Sequence, residues 1–441
     1  MKFKRWQENS LVESLKTSRV TILAGARQCG KTTIANQLAS AAAGDIDFRS
    51  LDDVAMLTSA RADPHGFVHH NKRTLIIDEI QRAPDLLMAI KKEVDENPAH
   101  GRFLITGSAD IQSLPTVSES LAGRVSKVLL HPLSQGEIAG SCPNFIEKAL
   151  QQQFHCDGIT KREALELAVK GGFPESVLSN RSLSEPNNFE KFLGADGAED
   201  RRSRERYDET RNAFNWCNNY VTTLIEHDLR DISNIRRHGA LKELIKVLAA
   251  WSSKFMDKAG ITSALSITKP TFDSYFFLVQ NMFLVDTLEP WLKTDYEYVS
   301  KKHKIFMSDT GLMAGILGWN LDQVEFDQDK CGKLMETFVH NQLVAEIDAS
   351  SGNYSLYQYR DSEKREIDFI VQNRHNDILA IEVKSGSNVS SDSFKHIKWF
   401  REMNQKRGIM KNFVGIVVYT GRNIAKFGNN LWAIPLDALW K

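Results

Sequence analysis

A strand-like run that ends in a glycine loop constrains this chain more than any other feature. Val20-Thr21-Ile22-Leu23-Ala24 is apolar and β-branched almost throughout, as in a parallel strand buried on both faces. It passes directly into Gly25-Ala26-Arg27-Gln28-Cys29-Gly30-Lys31-Thr32-Thr33, then into a helical pattern through Ile34, Leu38 and Ala39. Strand, G-x₄-G-K-T loop and helix together predict an α/β domain whose loop cradles phosphate. Gly25 and Gly30 let backbone N–H groups curl around phosphate oxygens, and the helix N-terminus adds its dipole. Lys31 is expected to reach the β- and γ-phosphates and the Thr32 hydroxyl to ligate Mg²⁺, with Thr33 in the same cradle. The expected ligand is ATP with Mg²⁺.

A second apolar run, Thr74-Leu75-Ile76-Ile77, ends at Asp78-Glu79. In that position Asp78 would hold Mg²⁺ through water and Glu79 would polarise the attacking water. The alternative for Glu79 is a cap on the next helix, since acids favour helix starts. A third run, Phe103-Leu104-Ile105, ends in Thr106-Gly107-Ser108, where a hydroxyl beside the acidic pair would sense the γ-phosphate; Thr106 and Ser108 both qualify. Farther on, Arg124 in Ser120-Leu-Ala-Gly-Arg-Val125 is either an arginine finger for a neighbouring copy's site or an ordinary surface Arg. A finger acting in trans would require a homo-oligomer.

At about 100–200 residues per domain, the 441 residues suggest three or four units. Lys+Arg and Asp+Glu both total 56, so whole-chain charge neither favours nor excludes nucleic acid, and any basic surface must be local. Cys29, Cys142, Cys156, Cys217 and Cys331 are odd in number and never in C-x₂-C spacing, which fits neither a disulfide framework nor a zinc site. MKFKRWQENS has no apolar core behind its charges, so it does not read as a signal peptide. No run approaches the ~18 apolar residues of a membrane span. A cytoplasmic protein without membrane contact is expected.

From about 135 to 235 the pattern is helical, with apolar spacing in Arg162–Val169 broken by Gly171-Gly172-Phe173-Pro174. Residues 195–211 carry dense charges of both signs, the mark of a solvated helix or linker. Between 240 and 290 three short helices and a strand are expected. Leu241, Leu244, Ile245, Val247 and Leu248 form one apolar face, Asp257 opens the second helix, and Thr268 with Pro270 opens the third. The strand follows at Met282–Leu288. This order is that of a winged helix-turn-helix, whose third helix would offer Lys269, Thr271, Asp273 and Ser274 to a groove. The basic stretch Lys301-Lys-His-Lys304 reads as a phosphate contact or a solvated turn.

The C-terminal region reads αβββαβ: a helix through Leu334, Phe338, Val339 and Leu343, and strands at Tyr354–Arg360, Ile367–Gln372 and Ile378–Val383. A helix at about 391–404 and a strand at Phe413–Tyr419 complete it. This is the restriction-endonuclease-like core, and its polar residues form D-x₁₃-E-x-K: Asp368, Glu382 and Lys384. Asp368 and Glu382 on neighbouring strands would hold one or two divalent cations, ~4 Å apart if two, against a scissile phosphate. Lys384 shares a strand face with Glu382 and would orient water. Glu336 from the preceding helix would complete the carboxylate set. The alternative is an ordinary solvated Glu–Lys pair of small worth.

Together these pieces resemble a large family of bacterial and archaeal AAA-type ATPases, related to the signal-transducing ATPases with numerous domains. That family joins a P-loop domain to a winged helix and a C-terminal PD-(D/E)xK domain. The resemblance is carried by GARQCGKTT (25–33), LIIDEIQRAPDLL (75–87), FLITGS (103–108), SLAGRV (120–125) and PLSQGEI (132–138). GGFPE (171–175), SDTGL (308–312), EIDFIV (366–371) and IEVKSG (381–386) extend it. It implies ATP hydrolysis, a nuclease-like site using Mg²⁺ or Mn²⁺ at Asp368, Glu382 and Lys384, and a link to mobile elements or antiphage defence. The expected organisation is an ATPase domain over 1–140, a helical lid or linker over 141–235, a winged helix over 236–295 and a nuclease-like domain over 296–441. The expected function is nucleotide-regulated cleavage of nucleic acid, probed first as DNA. The alternative is an ATP-driven DNA- or protein-binding switch whose nuclease fold does not cleave.

Overall fold

Five strands pair into one wholly parallel sheet: β1 Val20–Ala24, β2 Ile46–Ser50, β3 Thr74–Asp78, β4 Phe103–Gly107 and β5 Val125–Leu129, ordered β2-β3-β4-β1-β5. Every residue of β1, β3 and β4 is buried, which is why these runs lack the polar–apolar alternation of half-exposed strands. Because all five strands are parallel, their C-terminal ends share one edge. There the loop after β1 lies beside that after β4, with that after β3 next along. Ligands of open parallel sheets bind along such an edge. The helix α1 Lys31–Ala41 follows β1, and α2 Leu86–Glu96 buries Leu86, Leu87, Ile90 and Val94. α2 closes over a core that includes Ile22, Ile77 and Ile105. The strands expected at 20–24, 74–77 and 103–105 are all present.

The computed structural model describes residues 3–42, 44–108, 123–182, 216–217, 219–224, 238–291, 302–406 and 411–441. The charged stretch 195–211, Ser120–Ala122 and Lys301 lie outside them. Two compact units divide the chain. The first holds the parallel sheet and runs to Pro132, with 278–284 added; the second takes the remainder from Leu133.

In the second unit α3 His238–Ala250 buries Leu241, Leu244, Ile245 and Leu248, the spacing of one helical face. After β6 Lys254–Phe255 come α4 Lys258–Ala264 and α5 Lys269–Asn281. Both start where the caps predict: Asp257 accepts from the Gly260 N–H at 3.2 Å, and Thr268 from the Thr271 N–H at 3.3 Å. β7 begins at Val285, three residues later than expected. Phe283 has φ +56°, a left-handed residue that turns the chain between helix and strand. β7 Val285–Leu288, β8 Lys304–Met307 and β6 form an antiparallel sheet ordered β6-β8-β7.

The same unit contains α6 Gln328–Ala349 and a six-stranded sheet. Its strands are β9 Ser355–Arg360, β10 Glu366–Gln372, β11 Asp377–Lys384, β12 Asn412–Tyr419, β13 Ala425–Gly428 and β14 Leu431–Pro435. The order is β13-β14-β12-β11-β10-β9, with β9, β10 and β11 an antiparallel meander and β11, β12 and β14 mutually parallel. α7 Lys395–Gln405 is the crossover into β12, burying Ile397 and Phe400 with Phe394 and Phe413. The expected αβββαβ order is present. β13 and β14 extend it.

Candidate nucleotide site and acidic cavity

The loop between β1 and α1 is shaped by two glycines. At Gly25 a Cβ would sit 2.3 Å from the Leu130 carbonyl oxygen, and Gly30 has φ +107°. No L side chain fits the first without displacing backbone, and few adopt the second. Lys31 is buried, with Nζ donating to the carbonyls of Gly25 at 2.9 Å and Ala26 at 2.8 Å. Arg5, a residue that no motif pointed to, braces the loop. Its guanidinium donates to the Cys29 carbonyl at 2.7 Å and the His131 carbonyl at 2.6 Å.

The ends of β3 and β4 meet this loop. Thr32 Oγ1 donates to Asp78 Oδ2 at 3.0 Å, and Thr106 Oγ1 donates to Asp78 Oδ1. Thr106 Oγ1 also accepts from the Glu79 N–H at 3.2 Å. Asp78 is therefore held between the helix-starting Thr32 and the Thr106 hydroxyl. Glu79 stands at φ +59° and makes no side-chain cap to the turn that follows, so the capping alternative does not describe it. Burial raises its carboxyl above the ordinary value, against the pull of Lys31. Gln81 Nε2 donates to Glu79 Oε2 and, at 3.0 Å, to Ser108 Oγ. The two hydroxyls thus differ: Thr106 touches Asp78 directly, and Ser108 reaches Glu79 through Gln81. The sequence signal for Gln81 was its place two residues after the acidic pair. Thr33 is exposed on the first turn of α1.

Arg124 lies at the other end of the sheet. Its carbonyl accepts from the Val20 N–H, and its guanidinium grips Asp95 at 2.6 and 3.2 Å. A strand the length of β5, roughly 3.3 Å per residue, separates it from the edge that carries Lys31.

In the second unit, Phe369 pairs with Ile381 across β10 and β11, and one further step along that ladder brings Asp368 opposite Glu382. The β9–β10 register shifts between Ile367 and Ile370, so two residues, Asp368 and Phe369, oppose the single Gln358. Such a bulge re-aims a side chain, commonly beside a functional site. Asp368 Oδ2 accepts from the Val383 N–H at 2.9 Å, and Lys384 Nζ lies 3.2 Å from Glu382 Oε2. Burial, with the charge of Asp368, pushes the Glu382 carboxyl well above its usual range. Burial acts the other way on Lys384, but Glu382 and Asp368 outweigh it and raise its pKa. These residues line a cavity of about 490 Å³ with Glu336, Glu366 and His396.

The basic stretch before β8 is corrected at Lys304. This residue is 2% exposed, neither a solvated turn nor a surface phosphate contact. Its Nζ lies 2.6 Å from Glu336 Oε1, 2.6 Å from Glu366 Oε1 and 3.4 Å from Asp368 Oδ1. Burial alone would lower its pKa, yet the three carboxylates raise it, so the ammonium stays charged. Burial drives Glu336 to about 7 despite Lys304. The expected carboxylate set of Glu336, Asp368 and Glu382 does not converge on one point. Among the described residues no three His, Cys, Asp or Glu side chains group as metal ligands. The physical reason is Lys304, which draws Glu336 and one oxygen of Asp368 to itself. Lys304 carried no motif that would have assigned it this place, and Glu366, the first residue of EIDFIV, was given no role there.

Residues 17–139 match a family described as an AAA domain. Residues 202–323 and 331–439 match two domains of unknown function, DUF8612 and DUF4143. Uncharacterized proteins of Mycobacterium tuberculosis and Mycobacterium bovis are each 26% identical over 363 residues, covering 82% of this chain and 69% of theirs. Among solved structures, the Thermotoga maritima RuvB Holliday junction branch migration motor aligns at 17% identity and TM-score 0.29, over 64% of this chain and 89% of its own. A DNA polymerase III gamma subunit-related protein of the same organism aligns at 13% identity and TM-score 0.24, over 63% and 97%. The domain match and the geometry of residues 25–31, 78–79 and 106 make the N-terminal region an AAA-type P-loop ATPase domain, a fold that uses a nucleotide with Mg²⁺. Among the described residues no helix is long and apolar enough to cross a membrane.

Proposed function

We propose that this protein hydrolyses ATP at Lys31, Thr32, Asp78 and Glu79, and that its nucleotide state controls a metal-dependent site at Asp368, Glu382 and Lys384 that cleaves nucleic acid. The observation that carries the reading is the convergence of the last three side chains in one cavity, beside a β-bulge, in a chain that also has a complete nucleotide constellation. At the nucleotide end, the γ-phosphate would take the Lys31 ammonium from its own loop carbonyls, and Glu79 would orient water. Thr106 would hold Asp78 for Mg²⁺, while Ser108 would report the γ-phosphate through Gln81.

At the other end, Asp368 and Glu382 are hard oxygen donors suited to Mg²⁺ or Mn²⁺. Such an ion is commonly held by one or two carboxylates and completed by water and substrate phosphate. The bound ion would supply positive charge to the scissile phosphate. Lys384 would position water for attack at phosphorus, with one ester oxygen leaving. A winged helix over 236–295 would offer Lys269, Asp273 and Ser274 of α5, which are exposed, to a duplex groove. DNA is the expected substrate and a homo-oligomer the expected state.

A second reading is favoured by one observation: the Lys304 ammonium already engages three carboxylates of the cavity. An ATP-driven switch that binds DNA or protein through a non-cleaving nuclease fold would need no more. The deciding experiment incubates plasmid and linear DNA with Mg²⁺ or Mn²⁺, with and without ATP, alongside Lys31→Ala and Lys384→Ala proteins. Cleavage that is lost in Lys384→Ala and altered in Lys31→Ala supports the first reading. ATP hydrolysis without cleavage in any lane leaves the switch.

A further inference from the structure

Resting on the reading of Asp368, Glu382 and Lys384 as a metal-dependent phosphodiester site, we propose that Lys304 is a built-in second cation, so that the acidic cavity takes one divalent ion and never two. Two-ion sites hold their metals about 4 Å apart and need carboxylates enough for both. Two further carboxylates of the cavity, Glu336 and Glu366, are held by Lys304, at 2.6 Å each. Any cation bridging Glu336 and Asp368 Oδ1 would have to stand where Nζ stands. Lys304 cannot swing out cheaply: it is 2% exposed and sits in the β8 ladder opposite Leu288 and Phe255, and an unpaired buried charge costs several kcal/mol. The fixed cation is also delivered by a different sheet, β6-β8-β7. The sheet whose β7 follows the proposed DNA-reading helix in the chain therefore contributes a positioning residue to the proposed cleavage site.

The test counts Mn²⁺ on the nucleotide-free full chain by equilibrium dialysis, taking wild type and Lys304→Met each with and without Asp368→Asn. The difference made by Asp368→Asn isolates ions at this site. One Asp368-dependent ion in wild type and two in Lys304→Met are expected, with a lower Tm of Lys304→Met in chelator that Mn²⁺ restores. Two Asp368-dependent ions in wild type overturn the role of Lys304 but leave the metal site standing, as does a single ion in Lys304→Met. No Asp368-dependent ion in wild type overturns the metal site and this inference together. The wild-type count stands even where Lys304→Met fails to fold.

Discussion

Each carboxylate at the nucleotide site has neighbours that fix what it can do: Asp78 has Thr32 and Thr106, and Glu79 has Gln81. Glu79 is free of capping duty but is tied to Gln81, and Gln81 to Ser108. Glu79→Gln is therefore expected to keep ATP binding while turnover falls about 10²–10⁴-fold, the usual worth of a positioned base. Fluorescent-nucleotide titration beside a phosphate-release assay separates the two effects; unchanged turnover would remove Glu79 from the chemistry. Gln81→Ala is expected to lower turnover about tenfold with KM unaltered, because Gln81 orients Glu79 without reaching phosphate. An equal loss in KM would mean that it binds nucleotide. Lys31→Ala should weaken ATP binding itself. At this scale the motif residues were legible in sequence because their spacing encodes the chemistry. Arg5 and Lys304 were not, because each acts through a partner that the fold supplies, and Gln81 was marked only by its place two residues after the acidic pair.

Elements were read well where periodicity was strong and poorly where a single residue set the boundary. β1, β3 and β4 are fully buried strands that their apolar runs mark, β3 and β4 running on into Asp78 and Thr106-Gly107. The start of β7 depended on the left-handed Phe283, which no pattern marks. β13 and β14 are short strands joined by a two-residue turn at Asn429-Asn430, too brief for an alternation signal. Within α6 one buried carboxylate gives a pH prediction. Glu346 accepts from the Ile146 N–H at 2.7 Å, and burial drives its pKa to about 8, against the weaker pull of that bond and of Lys148. The folded value lies above the ordinary 4.5, so the folded state favours the proton. Its contribution is complete below about 4.5 and is lost as pH rises through about 8. Between pH 5 and 8.5 the Tm of Glu346→Gln should fall less steeply than wild type, by roughly 2–6 °C. Parallel curves across that range would show that Glu346 does not titrate there.

At the scale of the whole molecule, Arg124 makes the sharpest statement. It sits at the N-terminal end of β5 and is gripped by Asp95, whereas Lys31 lies beyond the C-terminal end of β1. One strand length, roughly 17 Å for five residues, keeps it from its own P-loop, so any catalytic role belongs to a neighbouring copy. Arg124→Ala and Lys31→Ala proteins should each lose hydrolysis and recover part of it when mixed, because one supplies an intact P-loop and the other the guanidinium. Failure to recover, with mixed oligomers verified by size, would return Arg124 to a surface role beside Asp95.

The sequence by itself determined the α/β P-loop domain, the place of Lys31, Thr32 and Asp78 at the ends of its strands, and the αβββαβ order that carries Asp368, Glu382 and Lys384. These properties are local: a glycine loop between strand and helix, or three residues on two adjacent strands, can be read from spacing alone. Only the tertiary structure decided which strands adjoin, that Thr106 rather than Ser108 touches Asp78, and that Arg124 stands away from its own nucleotide site. It alone revealed that Lys304, 32 residues from Glu336 and 64 from Asp368 in the chain, engages both of these carboxylates as a buried cation. The reason is physical. A charge removed from water must find opposite charge, and the partners it finds are set by how distant elements pack, which no spacing records.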